Sequence, residues 1–186
     1  MAGGNLIVDN IKIVDYYPNK NMMCNIVQDV IVAIGGGPHN VLVTLAKLNA
    51  GLDLSVLGLV GNDNGADLIL KDFADNNVKT DYVQKINYKN TSFTDVIVEK
   101  GTGERTFMHY PGANSELDFQ HFEIAKNSNA KIFYLGNLLH LERIDSDDEE
   151  FGLVSARVMN YMTNLGFKTG ADMVSVKSDL FKKVYQ

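Results

Sequence analysis

The ten residues from Ile31 to Asn40 constrain this chain more than any other stretch: Ile-Val-Ala-Ile, then Gly-Gly-Gly-Pro-His-Asn. A short β-branched run predicts a buried strand. The glycines beyond it open backbone conformations closed to other residues and let another molecule approach the main chain. Pro38 has no amide donor to lose and suits a helix's first turn. Val41, Leu42, Leu45 and Leu48 then recur at helical spacing. Strand, turn and helix start together make a place where backbone N–H groups and the amide of Asn40 can face a polar ligand. The same residues also suit a tight turn with no ligand, and both alternatives stand on the local pattern alone.

On either side of this stretch, strand and helix patterns alternate. Asn5 to Val8 is a short apolar strand ending in Asp9, and a carboxylate at the carboxyl end of a buried strand lies where open α/β sheets bind ligands. An Asp that closes a turn with Asn10 is the alternative. Residues 11 to 33 alternate apolar and polar around a Tyr-Tyr-Pro-Asn turn, which predicts two or three strands of an antiparallel ribbon. Leu54 to Val60 is a further buried strand. The Gly61-Asn62-Asp63-Asn64-Gly65 loop after it lacks the Gly-Lys-Ser/Thr ending of a phosphate-binding loop. Asp63 and Asn64 are expected to cap the next helix, whose core face is Ala66, Ile69, Leu70 and Phe73.

Tyr82 to Tyr88 is a candidate strand, and Ser92 to Val98 with Arg105 to Tyr110 form the clearest hairpin, turning at Glu99 to Glu104. Arg105 could pair with a carboxylate or phosphate, or be a solvated strand charge. Asn114, after the Pro111-Gly112 break, could cap a turn or present an amide. Leu117 to Lys126 predicts a helix and Lys131 to Leu135 a buried strand closing in Gly136-Asn137. The acidic run Asp145 to Glu150 precedes an apolar helix pattern through Met162, where carboxylates would serve the helix dipole. Gly170 to Val176 is the last strand and Asp179 to Tyr185 begins a helix.

A length of 186 residues with 45% apolar content supports one domain with a real core. The net charge of −6 offers no basic stripe for nucleic acid or an anionic membrane. Cys24 is the one cysteine, so no internal disulfide is possible, which fits a reducing cytoplasm. Met-Ala-Gly-Gly-Asn does not open a signal peptide, and runs such as Val56 to Val60 are too short to span a bilayer. The four histidines have no zinc-type spacing, no nucleophile elbow is present, and no metal site is expected.

Taken in order, Asn5-x-x-x-Asp9, Gly35-Gly36 with Asn40, and Val60-Gly61-Asn62-Asp63 with Gly65 resemble the amino-terminal half of the ribokinase/PfkB family of carbohydrate kinases. Thr91 to Asp95, Gly101 to Phe107 and Pro111 to Asn114 are similar to its sugar-kinase members. The resemblance implies an α/β fold: a partial three-layer α/β/α ribokinase-like core over residues 1–186, with a small antiparallel β-sheet lid from about 11–33 and 88–110. It implies ATP-dependent phosphorylation of a sugar or nucleoside hydroxyl. Asp9 would hold substrate hydroxyls with Asn5 supporting that turn, Gly35 and Gly36 would bring N–H groups to the sugar, and Asn40 would bond a hydroxyl. Arg105 and Asn114 match the family pattern as further substrate-binding residues, and a homodimer through the lid is plausible on the same basis. Some members place an acidic residue where this chain has Gly136-Asn137.

The family's Asn-x-x-Glu and Gly-Ala-Gly-Asp motifs, which carry the catalytic base and the ATP site, would lie beyond Gln186. The expectation is therefore a sugar-and-lid half with no catalytic residue of its own. ATP and Mg2+, the full-length family's cofactors, are expected to bind it poorly. A non-catalytic sugar-binding or regulatory remnant is the alternative. A dinucleotide-dependent oxidoreductase ranks below both, because Asn40 holds the fingerprint's third glycine position.

Overall fold

The computed structural model describes residues 1–174, so the end of the last strand at Val176 and the helix at Asp179 to Tyr185 lie outside the described residues. The chain opens with β1 (Ala2–Gly4) and β2 (Ile7–Val14), then β3 (Ile31–Gly35), α1 (Gly37–Lys47), β4 (Ser55–Val60), α2 (Asn64–Asp75) and β5 (Lys79–Lys85). It continues through β6 (Phe93–Glu99), β7 (Arg105–Tyr110), α3 (Phe119–Phe122), β8 (Ile132–Leu138), β9 (Asp147–Asp148), β10 (Gly152–Leu153), α4 (Val154–Asn164) and β11 (Lys168–Met173). The core is a five-stranded parallel sheet in the order β11-β8-β1-β4-β5. A second sheet, β3-β2-β6-β7, joins two antiparallel pairs through a parallel β2–β6 pair.

Side-chain alternation along β4 builds the layers. Val56 and Val60 face one cluster with Leu42 and Val43 of α1 and Ile69 and Phe73 of α2. Leu57 and Leu59 face the opposite cluster, with Phe122, Phe133, Leu135, Val158 and Met162. Both faces of a parallel sheet are thus covered by apolar helix surface. The α2 start is as expected: Asp63 is the N-cap and its carboxylate accepts the Ala66 N–H at 3.0 Å.

Four expectations are corrected. The strand at the amino terminus is two strands: Ala2–Gly4 in the core sheet and Ile7–Val14 in the second sheet. The core strand is made of small residues because Phe133 and Phe122 crowd Gly3 and the Gly136 backbone crowds Gly4, leaving no room for a β-branched signature. Asp9 consequently sits within a second-sheet strand rather than at the carboxyl end of a core one. Ile31 to Ile34 is not buried, since Ile31 and Val32 are 48% and 51% exposed on the edge strand β3. Residues 117–126 form only the four-residue α3 and a 3-10 turn. The acidic run lies outside the first turn of α4. Asp145 instead folds a loop, accepting the N–H groups of Leu139 (2.9 Å) and Leu141 (2.6 Å), and Asp148 accepts those of Glu150 and Phe151.

Candidate functional site

Sheet order places one crevice. From β1 the chain moves through α1 to β4 on one side, and later returns as β8 on the other side of β1. The carboxyl ends of β1 and β8 therefore flank a topological switch point, where open α/β sheets bind ligands. Backbones meet there at very close range. A Cβ on Gly4 (φ 134°) would strike the Gly136 carbonyl, and one on Gly36 (φ 96°) would strike the Asn5 carbonyl. A Cβ on Gly37 would lie 2.5 Å from the Asn137 Oδ1. Only glycine satisfies both the positive φ and the contact. Gly36 also supplies the N-cap of α1, which has Pro38 in its first turn and no side-chain cap.

Asn5 is fully buried beside this crossing, and neither its Oδ1 nor its Nδ2 has a hydrogen-bond partner among the described residues. Its neighbour Leu6 is held firmly. Asn114 donates from Nδ2 to the Leu6 carbonyl (3.1 Å), and its Oδ1 accepts the Leu6 N–H (3.2 Å) across 108 positions of sequence. The amide of Asn114, 1% exposed, thus pins the segment that carries Asn5.

Asp9 lies against Gly35, where any Cβ would run into its carboxylate. Burial pushes the Asp9 carboxyl above its ordinary range, while a hydrogen bond from Thr94 and the nearby His39 pull it back. His39 packs its ring on Phe73 and bonds Asp72 through Nε2 at 2.7 Å, and its Nδ1 is 3.5 Å from the Asn40 Oδ1. Asn40 is exposed on the first turn of α1, and His39 beside it acts electrostatically on Asp9.

Arg105 is elsewhere. It pairs with Val98 and so lies four positions along the strands and two strands across from Asp9, ~16 Å away at the usual strand spacings. Its guanidinium rests 5.8 Å from the Phe107 ring centroid.

Sequence reasoning missed His39, Asn137 and Asp172. Asn137 adopts φ 62° in β8 and donates its N–H to the Asp172 carboxylate at 2.6 Å. Burial, with Asp172 alongside, pushes the Tyr134 hydroxyl pKa up. No spacing marks these residues, because a bulge in β11 between Ala171 and Met173 decides where Asp172 sits. A cavity of about 750 Å³, lined by Val41, Leu45, Lys79, Tyr82 and Ile132 among others, opens at the amino-terminal ends of the strands, apart from this crevice.

The model of the pfkB family of carbohydrate kinases matches residues 4–183. The chain belongs to that family. Solved structures with the same fold include a ribokinase from Giardia lamblia (16% identity, TM-score 0.75, 98% of this chain and 53% of that one). A fructokinase with bound ATP from Xylella fastidiosa is similar at 22% identity and TM-score 0.71, over 98% and 56%. An Arabidopsis thaliana ribokinase complexed with ribose and ATP matches at 20% identity and TM-score 0.72, over 95% and 54%. This pfkB-family chain spans about half the length of the solved structures it matches. No curated protein matches it.

Among the described residues of this family member no three acidic, His or Cys side chains converge as a metal-ligand group. The Gly61–Gly65 turn is filled rather than open: Thr91 accepts the Gly61 N–H at 2.9 Å, and its own N–H reaches Asp63 at 2.7 Å. Among the described residues no helix is long and apolar enough to cross a membrane.

Proposed function

We propose that this chain is the sugar-holding part of an ATP-dependent carbohydrate kinase, and that it binds sugar without turning over ATP on its own. The observation that carries this reading is Asn5, an amide with no exposed surface and two unsatisfied ends beside the Gly35–Gly36 turn, at the switch point of the core sheet. A buried polar group without a partner costs free energy, which a hydroxyl-rich ligand would recover. In this reading Asp9 accepts sugar hydroxyls, Gly35 and Gly36 offer backbone N–H groups, and Asn40 bonds a hydroxyl from the start of α1. Asn114 serves by holding Leu6 and, with it, Asn5. Arg105 is a residue of the lid's far end.

The second sheet acts as the lid in this proposal. The face bearing Asp9 continues outward through Ile11, Val96, Ile31 and Phe107, and Ile31 and Phe107 are 48% and 59% exposed. Exposed apolar surface on a sheet favours pairing with a second copy, so a homodimer through the lid belongs to the same reading. The free thiol of Cys24 fits a cytoplasmic setting.

Calorimetric titration with D-ribose and D-fructose tests the binding, with Asp9→Asn as control. Saturable heat lost in the control supports the reading, and its absence for both sugars overturns it. An ATP/ADP-coupled assay across sugars and nucleosides tests the chemistry. Turnover by residues 1–186 alone would refute the proposed division of labour. No turnover by the longest product of the gene would favour a regulatory sugar-binding protein instead.

A further inference from the structure

Three residues form a row across the lid sheet. Asp9 of β2 is directly opposite Thr94 of β6, which is directly opposite His109 of β7, so all three side chains leave the same face. Thr94 faces Asp9 across the strand pair and draws the Asp9 pKa down as a hydrogen-bond donor would, and the Thr94 Oγ1 is 2.9 Å from the His109 Nδ1. Thr94 is 6% exposed, so water does not compete freely for its one proton.

Turning that proton toward Asp9 sets the other directions in the row. A carboxylate can only accept, so in a Thr94–Asp9 hydrogen bond the Thr94 O–H is the donor. The Thr94 oxygen must then accept, and the His109 Nδ1–H is its donor. The other nitrogen, Nε2, is buried and has no hydrogen-bond partner among the described residues, as the bare nitrogen of a neutral imidazole held in one tautomer. His140, from the loop after β8, packs its ring 4.3 Å from that of His109, and the Asp145 carboxylate acts electrostatically on His140. Burial and this second imidazole hold the His109 pKa down to about 4, so the neutral form persists at neutral pH. His39 of α1 and the Gly35 backbone of β3 also face Asp9.

We infer that Thr94 and His109 are positioning residues: His109 orients the Thr94 hydroxyl, and Thr94 holds the Asp9 carboxylate in the ionised, hydrogen-bonded form that meets the sugar. The contact with His140 ties the row to a core loop, so the lid presents Asp9 in this arrangement only while seated on the core. The part played by the sugar rests on the function proposed above; the row itself does not.

The test is an NMR titration of the Asp9 side-chain carboxyl in the whole chain, read beside calorimetry with D-ribose and D-fructose. Thr94→Val and His109→Phe remove donors, whereas Thr94→Ser keeps the hydroxyl and His109→Asn keeps an N–H at the Nδ1 position. The Asp9 midpoint is expected to rise by roughly half a unit or more in the first pair and by less than half that in the second. Sugar affinity should fall ~5- to 10-fold in the first pair, as for loss of one charge-assisted hydrogen bond, and recover in the second. An unmoved midpoint in folded Thr94→Val or His109→Phe overturns the inference. Should both fail to fold, Thr94→Ser and His109→Asn decide, because a midpoint shift as large as half a unit in either would refute the donor assignment. If the midpoint moves but wild-type chain takes neither sugar, the row stands and the proposed function falls. If Asp9→Asn abolishes sugar binding while the row variants leave both readouts unchanged, the function stands and the row falls.

Discussion

The crossing in the core and the row in the lid position polar atoms by opposite means. At the crossing, Gly4, Gly36 and Gly136 bring main chains so close that no Cβ fits without displacing a neighbour's backbone. In the second sheet, Asp9, Thr94 and His109 stand on regular paired strand backbone, and their side chains line one face of it. A backbone contact cannot be tuned, since any substitution changes the fold around it. A side-chain contact can be altered while the strands stay paired. Errors in the first should therefore appear as lost stability, and errors in the second as lost affinity or altered pH dependence.

The largest expected effect breaks the core side. Gly36→Ala forces a φ of 96° on an L-residue and drives its Cβ into the Asn5 carbonyl. Stability should fall by ~3 kcal/mol or more, measured as the midpoint of urea unfolding. Asn114→Ala comes next. It leaves the Leu6 N–H and C=O unpaired in the interior, for a loss of about 2–4 kcal/mol in the same measurement.

The lid side should respond differently. Asp9→Asn is expected to weaken sugar binding about tenfold or more by calorimetry, with no loss of thermal stability at pH 7. The sign follows from burial. A carboxyl whose folded pKa is raised destabilises the native state above that pKa, so removing its charge cannot lower stability there. A large fall in melting temperature would make Asp9 a structural residue of the lid.

A smaller effect separates the regions by pH. The folded His109 titrates near 4 and the unfolded one near 6.5, so between these values the unfolded chain takes up the proton first. Stability is lost as pH falls from 6.5 toward 4, and His140, shifted the same way, adds to the slope. His109→Phe should flatten that acid limb in melting curves recorded across the range, while Asn114→Ala should lower the whole curve without changing its shape. The smallest effect belongs to Arg105→Ala, expected to change sugar affinity by less than about twofold, because the sheet register holds Arg105 far from Asp9. A larger change would bring the far end of the lid into the site.

Much of this was legible in the chain because it is local. The Asp63 cap, the 93–110 hairpin and the Gly-Gly-Gly-Pro turn depend on residues within a few positions of each other. Two central features were not. Ala2–Gly4 carries no strand signature, since its smallness answers to Phe133, Phe122 and Gly136 more than a hundred residues on. The Ile31 run looks buried because β-branched residues suit any strand, exposed or covered. Likewise, the pairing of Asp9 with Thr94 and His109 follows from register between strands that periodicity cannot align.

Where the chain turns and which helices it begins were set locally, because those properties reside in backbone freedom and short-range hydrogen bonding. Only packing across the whole chain set which sheet Asp9 joins and that Asn114 spends its amide on Leu6. Those outcomes depend on how distant segments pack, and packing is a property of the whole fold rather than of any stretch within it.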